Sequence, residues 1–274
     1  MQQQKERKII SVSDLNSWLY CPRKLYLQRV KRLEIPPNRN LLIGKIKHSI
    51  LENFSKREEH FISSIEKDYS KIDLLFMYED FLRNIANIIF IENIEMIERF
   101  MIDKEDIFEK VLRDFSEDIK LRIASIKEAI AKGFLKEKIY HNLDSIYLSE
   151  LRLESPAYGL RGRVDRILVS RKDNSIIPFE LKSREEKIFH SDEIQLTAYA
   201  MLLEDHYKII IPKGIVEVGN KRQEIEITSP MKDEVLKLAN EIRNIHNPEN
   251  PIPPIQSNFN KCRNCDFKEA CMSL

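Results

Sequence analysis

Apolar residues in the first half of the chain recur at three- and four-residue intervals. From Tyr147 onward they alternate instead. Leu15, Trp18 and Leu19 trace the first helical stripe, with Ser13 or Asp14 placed to cap it. Pro22 ends that helix or opens the next, so Cys21 falls at a junction. After the Pro36-Pro37 break, Leu42, Ile46, Ile50 and Phe54 predict a helix over 40–57. Residues 58–141 read as helical almost throughout, with Ile85, Ile88 and Ile89, then Ile119, Ile123, Ile126 and Ile130, on their apolar stripes and Gly133 as a break.

The second half reads as strands at Tyr147–Glu154, Leu160–Ser170 and Ile176–Ser183, with Asp173-Asn174 turning between the last two. A helix is expected over 192–205. Strands at 207–218 and 223–228 then meet around Gly219-Asn220, and a helix follows over 231–246. Residues 247–260 hold four prolines and no periodicity, which makes them a loop. Helices, a β-meander, a helix and more strands in that order predict an α/β core with a mixed central sheet flanked by helices.

The 274 residues suffice for one large domain or a domain with a lobe. We divide the chain into a core of 1–57 with 142–274 and a helical insertion or lobe of 58–141. Hydrophobic residues make up 42% and charged ones 32%. No apolar run approaches the roughly 18–20 residues of a membrane span. The start, MQQQKERKII, lacks the apolar segment of a signal peptide. A cytoplasmic protein without a membrane partner is expected. The net charge of +1 hides an uneven distribution. Residues 1–32 carry a local net of +6, and residues 73–118 a net of −8. A basic body beside an acidic helical segment is compatible with phosphate binding by the body, and the acidic stretch suits a partner contact or the mouth of a groove.

Chemistry concentrates in two places. Cys21 stands alone near the start, while Cys262, Cys265 and Cys271 are spaced C-x2-C-x5-C near the end. In a reducing compartment disulfides are disfavoured, whereas four thiolates make one ligand set for a tetrahedral zinc or a [4Fe–4S] cluster. The second place is Asp165 on one strand and Glu180-Leu181-Lys182 on the next. Strand alternation points Glu180 and Lys182 the same way, and a hairpin brings Asp165 beside Glu180. Two such carboxylates repel unless a divalent cation is shared between them, and a lysine alongside can orient a water. Gln195 and Tyr199 share a face of the following helix, and His48 lies upstream on the helix at 40–57.

His, then Asp, then Glu-x-Lys, then Gln-x-x-x-Tyr, in that order, resembles the RecB-like branch of the PD-(D/E)xK nuclease superfamily. With S-D-L-N-S-W-L-Y-C-P-R-K-L-Y-L at 13–27 and C-R-N-C-x5-C at 262–271, the chain resembles the iron–sulfur CRISPR-associated exonuclease family, Cas4. The resemblance covers residues 9–57 and 147–274. It implies that His48, Asp165, Glu180 and the Leu181 carbonyl hold Mg²⁺ or Mn²⁺, and that Lys182 assists the attacking water. Gln195 and Tyr199 would position DNA or brace the site. Cys21, Cys262, Cys265 and Cys271 would bind a [4Fe–4S] cluster that straps the N- and C-terminal segments together. A single C-x2-C knuckle suits that cluster better than a zinc ribbon, which pairs two. The implied activity is exonucleolytic hydrolysis of DNA, single-stranded or with single-stranded ends, in the processing of spacer precursors for the CRISPR integrase. A repair or recombination nuclease and a catalytically idle iron–sulfur DNA-binding subunit are the alternatives.

Overall fold

The switch in hydrophobic period becomes a switch in architecture. In a computed structural model of the chain, residues 8–182, 184, 187–219, 221–263 and 265–274 are described. Among the described residues, apart from the two-residue β1 (Ile10–Ser11), strands are confined to the part of the chain after residue 144. Helix α1 (Val12–Tyr20) starts earlier than Ser13 or Asp14 would set it, because Ser11 is its N-cap. Asp14 lies in the first turn, where an acidic side chain complements the helix dipole, and its carboxylate takes Arg29 of α2 (Pro22–Arg29) at 2.7 and 2.9 Å.

Helix α3 (Arg39–Ser63) is capped by Asn38, which accepts from Leu41 N at 3.0 Å. A reciprocal Ser70–Asp73 capping box starts α4 (Lys71–Glu92), and Asp103 caps α6 (Lys104–Ala131). The short α5 (Ile94–Arg99) and α7 (Glu137–His141) complete this half. Their stripes pack together: Ile46, Ile50, Phe54, Ile85, Ile89, Ile119, Ile123 and Ile126 share one core. Ile88 departs from the expected stripe and is 41% exposed. Gly133 follows α6 with φ +87°, a conformation only glycine adopts freely.

Strands β2 (Ser145–Ser155), β3 (Leu160–Ser170), β4 (Ile176–Lys182), β5 (Lys213–Val218) and β6 (Lys221–Glu226) form, with β1, a mixed six-stranded sheet. The order is β1-β3-β4-β5-β6, with β2 also paired to β3. β1 with β3 and β4 with β5 run parallel, the other pairs antiparallel. Helix α8 (His190–Tyr207) makes the crossover between the parallel β4 and β5. It is buried nearly all round, which is why it has no strong amphipathic stripe. The strand expected from 207 begins only at Lys213, since α8 runs to Tyr207 and Lys208 caps it at φ 58°. The last strand ends at Glu226 because Ile227 N turns to Pro212 O, and Thr228 starts α9 (Ser229–Asn244). Ser183 and Asn220, assigned above to a strand end and a turn, lie outside the described residues. The terminal region adds two short helices that periodicity did not signal, α10 (Phe259–Arg263) and α11 (Lys268–Met272).

A second core is formed by the sheet with α1, α2, α8 and α9. Where it meets α3–α7, Ile146 and Leu181 of the sheet pack on the helical core beside an ionic network. Asp118 of α6 pairs with Arg166 of β3 at 2.6 Å and Arg222 of β6 at 2.8 Å. Glu217 of β5 pairs with the same two arginines at 3.2 and 3.0 Å. Arg122 joins Glu58 at 2.9 Å and donates to Ser145 O at 2.6 Å. Such a network is specific in geometry, because each member left unpaired in the interior is costly.

A carboxylate-lined candidate active site

The β3–β4 ladder runs from Val169↔Ile176 to Arg166↔Phe179. Asp165 and Glu180 are the next residues along each strand, at the end where α8 and α3 converge. Asp165 Oδ2 accepts from Leu181 N at 2.9 Å. Alternation along β4 sends Glu180 and Lys182 together, and their side chains pair at 2.6 Å. Lys182 Nζ also donates to Gln195 Oε1 at 2.9 Å and lies 3.5 Å from Asp192 Oδ1. The Gln195 amide donates in turn to Tyr199 OH at 3.0 Å. From α3, His48 Nδ1 comes within 3.8 Å of Asp165 Oδ1. The structure therefore brings His48, Asp165, Glu180, Leu181, Lys182, Gln195 and Tyr199 to one place.

Three further side chains belong to this place that the sequence reading did not single out. Glu150 of β2 meets His48 Nδ1 at 3.0 Å and pairs with Arg163 Nε at 2.5 Å. Asp192, wholly buried, accepts from Phe189 N at 2.8 Å and pairs with Arg184, so it faces Lys182 from a fixed position. Asn16 of α1 donates to Gln195 Oε1 at 3.1 Å. Asn16 lies within the 13–27 motif, whereas Asp192, three residues after a Phe189 that cannot cap a helix, and Glu150 had no local mark.

Burial and crowding of like charge dominate the electrostatics. Glu180 is 2% exposed; burial first, then the Asp165 charge, pushes its carboxyl up to about 8. Burial also raises Asp165, against the pull of His48, the Leu181 N–H and Lys182. Burial pulls His48 down, but its bond to Glu150 and the charges of Asp165, Glu150 and Glu180 outweigh it and leave the imidazole raised. Lys182 is likewise raised, since Glu180 and Asp192 overcome its burial. Glu180 Oε2 and Glu150 Oε2 are buried oxygens without a hydrogen bond. His48, Glu150 and Asp165 offer ligand atoms within 4.8 Å of one another. A buried set of carboxylate oxygens and one imidazole, with oxygen atoms left over, is a donor set that fits a hard divalent cation. Beside it, Arg152, Arg161 and Arg163 line an open groove over the β2–β3 hairpin.

Away from this site, the tail closes on the first two helices. Tyr20 OH donates to Lys261 O at 3.0 Å, and Lys261 Nζ to Tyr20 O at 3.0 Å. Arg23, 8% exposed, donates to Pro253 O at 3.0 Å and Cys271 O at 3.2 Å. Lys24 pairs with Asp266 at 3.0 Å. These bonds carry Cys262, Cys265 and Cys271 to the junction that holds the buried Cys21. Burial raises the Cys265 thiol, the Phe267 N–H and Lys24 oppose that rise, and Cys21 adds to it. Four thiols with Lys24, Lys261 and Arg23 nearby have the donor chemistry of a thiolate-bound metal group, while among the described residues the ligand atoms that lie within 4.8 Å of one another are those of His48, Glu150 and Asp165.

Residues 9–272 match the PD-(D/E)XK nuclease superfamily. A CRISPR-associated exonuclease Cas4/endonuclease Cas1 fusion of Leptospira interrogans is 26% identical over 168 residues, 58% of this chain and 30% of that protein. The DNA replication ATP-dependent helicase/nuclease JHS1 of Arabidopsis thaliana is 24% identical over 278 residues, 92% of this chain and 19% of that protein. The chain thus spans less than a third of the length of either relative. Among solved structures, the crystal structure of SSO0001 matches with a TM-score of 0.32 and 20% identity, over 82% of this chain and 92% of that one. Among the described residues no helix is long and apolar enough to cross a membrane.

Proposed function

The chain belongs to the PD-(D/E)XK nuclease superfamily, and on that footing we propose that it is a metal-dependent DNA exonuclease of the Cas4 kind, acting on single strands or single-stranded ends. The observation that carries this reading is the junction of Asp165, Glu180 and Lys182, where a buried carboxylate keeps an oxygen without a partner. His48, Asp165, Glu180 and the Leu181 carbonyl would hold Mg²⁺ or Mn²⁺. When bound, such an ion supplies a Lewis acid that acidifies water and offsets charge on the phosphate.

The chain's own groups do the rest. Lys182, kept protonated by Glu180 and Asp192, presents an ammonium to the attacking water or to a phosphate oxygen. Gln195 fixes that ammonium from one side, and Tyr199 fixes Gln195. Arg152, Arg161 and Arg163 give a strand's phosphates a track toward Asp165. Cys21, Cys262, Cys265 and Cys271 would hold a [4Fe–4S] cluster remote from the chemistry, joining the tail to α1 and α2.

The relationship to a Cas4/Cas1 fusion supports a role in processing spacer precursors, with an integrase as partner. A second reading, a replication or repair nuclease working beside a helicase, is favoured by one observation: the similarity to JHS1 extends over 92% of the chain. The test of the activity is a 5′- and 3′-labelled single-stranded DNA assay in Mn²⁺. Cleavage by the parent, with loss in both Glu180→Ala and Lys182→Ala, is expected. Undiminished cleavage by both variants overturns the proposal. Co-purification with an integrase rather than a helicase separates the two cellular roles.

A further inference from the structure

Glu150 sits in the interior of β2 with φ +59°, a left-handed conformation that glutamate rarely adopts. The β2–β3 ladder is regular on both sides, Ser149↔Arg166 and Leu151↔Val164, so the departure is confined to Glu150 and the Asp165 opposite it. A non-glycine residue held there costs about 1–3 kcal/mol and persists only where its surroundings over-determine it. Its side chain is 3% exposed, and burying a carboxylate adds a second cost. Two partners offset part of it. His48 Nδ1 lies 3.0 Å from Oε1, and the half-exposed Arg163 lies 2.5 Å from Oε2 without the alignment of a hydrogen bond. The remaining valence of that buried oxygen is unused.

Neither partner explains why the residue is a carboxylate on a left-handed backbone. A neutral acceptor would make the same hydrogen bond to His48, and Arg163 has solvent available to it. The third neighbour does explain it. Asp165 brings its own oxygen to the same imidazole at 3.8 Å, and the three ligand atoms lie within 4.8 Å of each other. Two ligands about 2.1 Å from one ion stand at most about 4.2 Å apart, so a small inward movement of the three groups encloses a cation.

We propose that Glu150 is a direct ligand of the divalent cation, which is then held by two carboxylates and an imidazole on the His48 side as well as by Glu180. This rests on the metal-dependent reading given above and adds a ligand to it. It also assigns the left-handed backbone a purpose, that of bringing the β2 carboxylate into contact with His48 beside Asp165.

The test is Mn²⁺ binding to metal-free protein, followed by calorimetry and by loss of the free-ion electron paramagnetic signal, with no DNA present. Glu150→Gln keeps the size and the acceptor for His48 but removes the charge; its affinity should fall by about 10–100-fold. The decisive comparison uses His48→Ala as background. A ligand that touches the ion loses affinity there too, whereas a group acting only through the imidazole has nothing left to lose. Glu150→Asn, whose side chain tolerates the left-handed region, repeats the test if Glu150→Gln is unstable. Binding by Glu150→Gln within twofold of the parent, or a loss that vanishes in the His48→Ala background, overturns the inference and leaves the nuclease reading standing. A parent protein that binds no Mn²⁺ overturns both.

Discussion

Lys182 Nζ and Gln195 Oε1 lie 2.9 Å apart, and that contact joins the end of β4 to the middle of α8. Gln195 accepts there while its amide nitrogen donates to Tyr199, so the lysine is held by a residue that is itself held. Gln195→Ala leaves the ammonium to Glu180 and Asp192, without the contact that fixes its direction. Single-turnover cleavage should slow by about 10–100-fold, in the range of other supporting contacts, while Mn²⁺ affinity changes less than threefold. A larger loss in metal affinity than in rate would assign Gln195 to the cation instead.

Gly162 is a glycine for lack of room rather than for its backbone angle. A Cβ there would sit 2.9 Å from Val12 Cγ2 and 3.1 Å from both Leu202 Cδ1 and Tyr199 Cε1. All three neighbours are buried, so none can swing into solvent. Gly162→Ala should cost about 1–3 kcal/mol by overpacking. Because Tyr199 is one of the groups displaced, cleavage measured well below the melting temperature should also fall, and Gln195→Ala should add little to that fall.

The junction between the sheet and α6 depends on Asp118. Burial alone would raise its carboxyl, but Arg166 and Arg222 outweigh burial and hold it below the ordinary carboxylate value. A depressed carboxyl gives stability that is complete above the unfolded value near 3.8 and is lost as the pH falls through the folded one. Asp118→Asn leaves Arg166, 1% exposed, with only Glu217. At pH 7 it should cost about 3–5 kcal/mol, roughly 10 °C in melting temperature. Between pH 5 and 3 the parent should lose more stability than the variant does. Equal slopes on denaturant curves across that range would remove Asp118 from the account.

What was legible in the sequence followed from periodicity. Ile46, Ile50 and Phe54 are core because one helix face repeats; Glu180 and Lys182 point together because strands repeat every two residues. Three things were hidden for physical reasons. The cap of α1 was misplaced because Ser11, Ser13 and Asp14 are all competent caps, and only the chain's path out of β1 selects Ser11. The seam residues Glu58, Asp118 and Arg122 sit at polar positions of helical patterns, which look the same whether water or another layer covers them. Glu150 was hidden because a left-handed residue in a strand is imposed by its tertiary neighbours, and a glutamate carries no local preference for it.

In the proposed reading the terminal cysteines hold the strap and take no part in the chemistry at the carboxylates, and their substitution should show it. The tail is held by a few polar bonds, among them Tyr20 to Lys261 and Arg23 to Cys271, with Phe267 its buried hydrophobe. Helices α10 and α11 are five residues each, too short to persist without an anchor. The proposed [4Fe–4S] cluster on Cys21, Cys262, Cys265 and Cys271 would supply one. The parent should then be brown, and Cys271→Ser should be colourless and melt at a lower temperature. It should also open residues 247–274 to proteolysis before the sheet is cut. Mn²⁺ affinity at His48 and Asp165 should stay within about threefold of the parent, since sites that share no partners are close to independent. DNA binding should weaken more than that, because the tail fixes the basic residues of α2 beside it. A colourless parent that carries one zinc instead would keep the strap and remove the iron. Loss of Mn²⁺ affinity together with colour would mean that the two sites are coupled through α1, whose Asn16 reaches Gln195 at 3.1 Å.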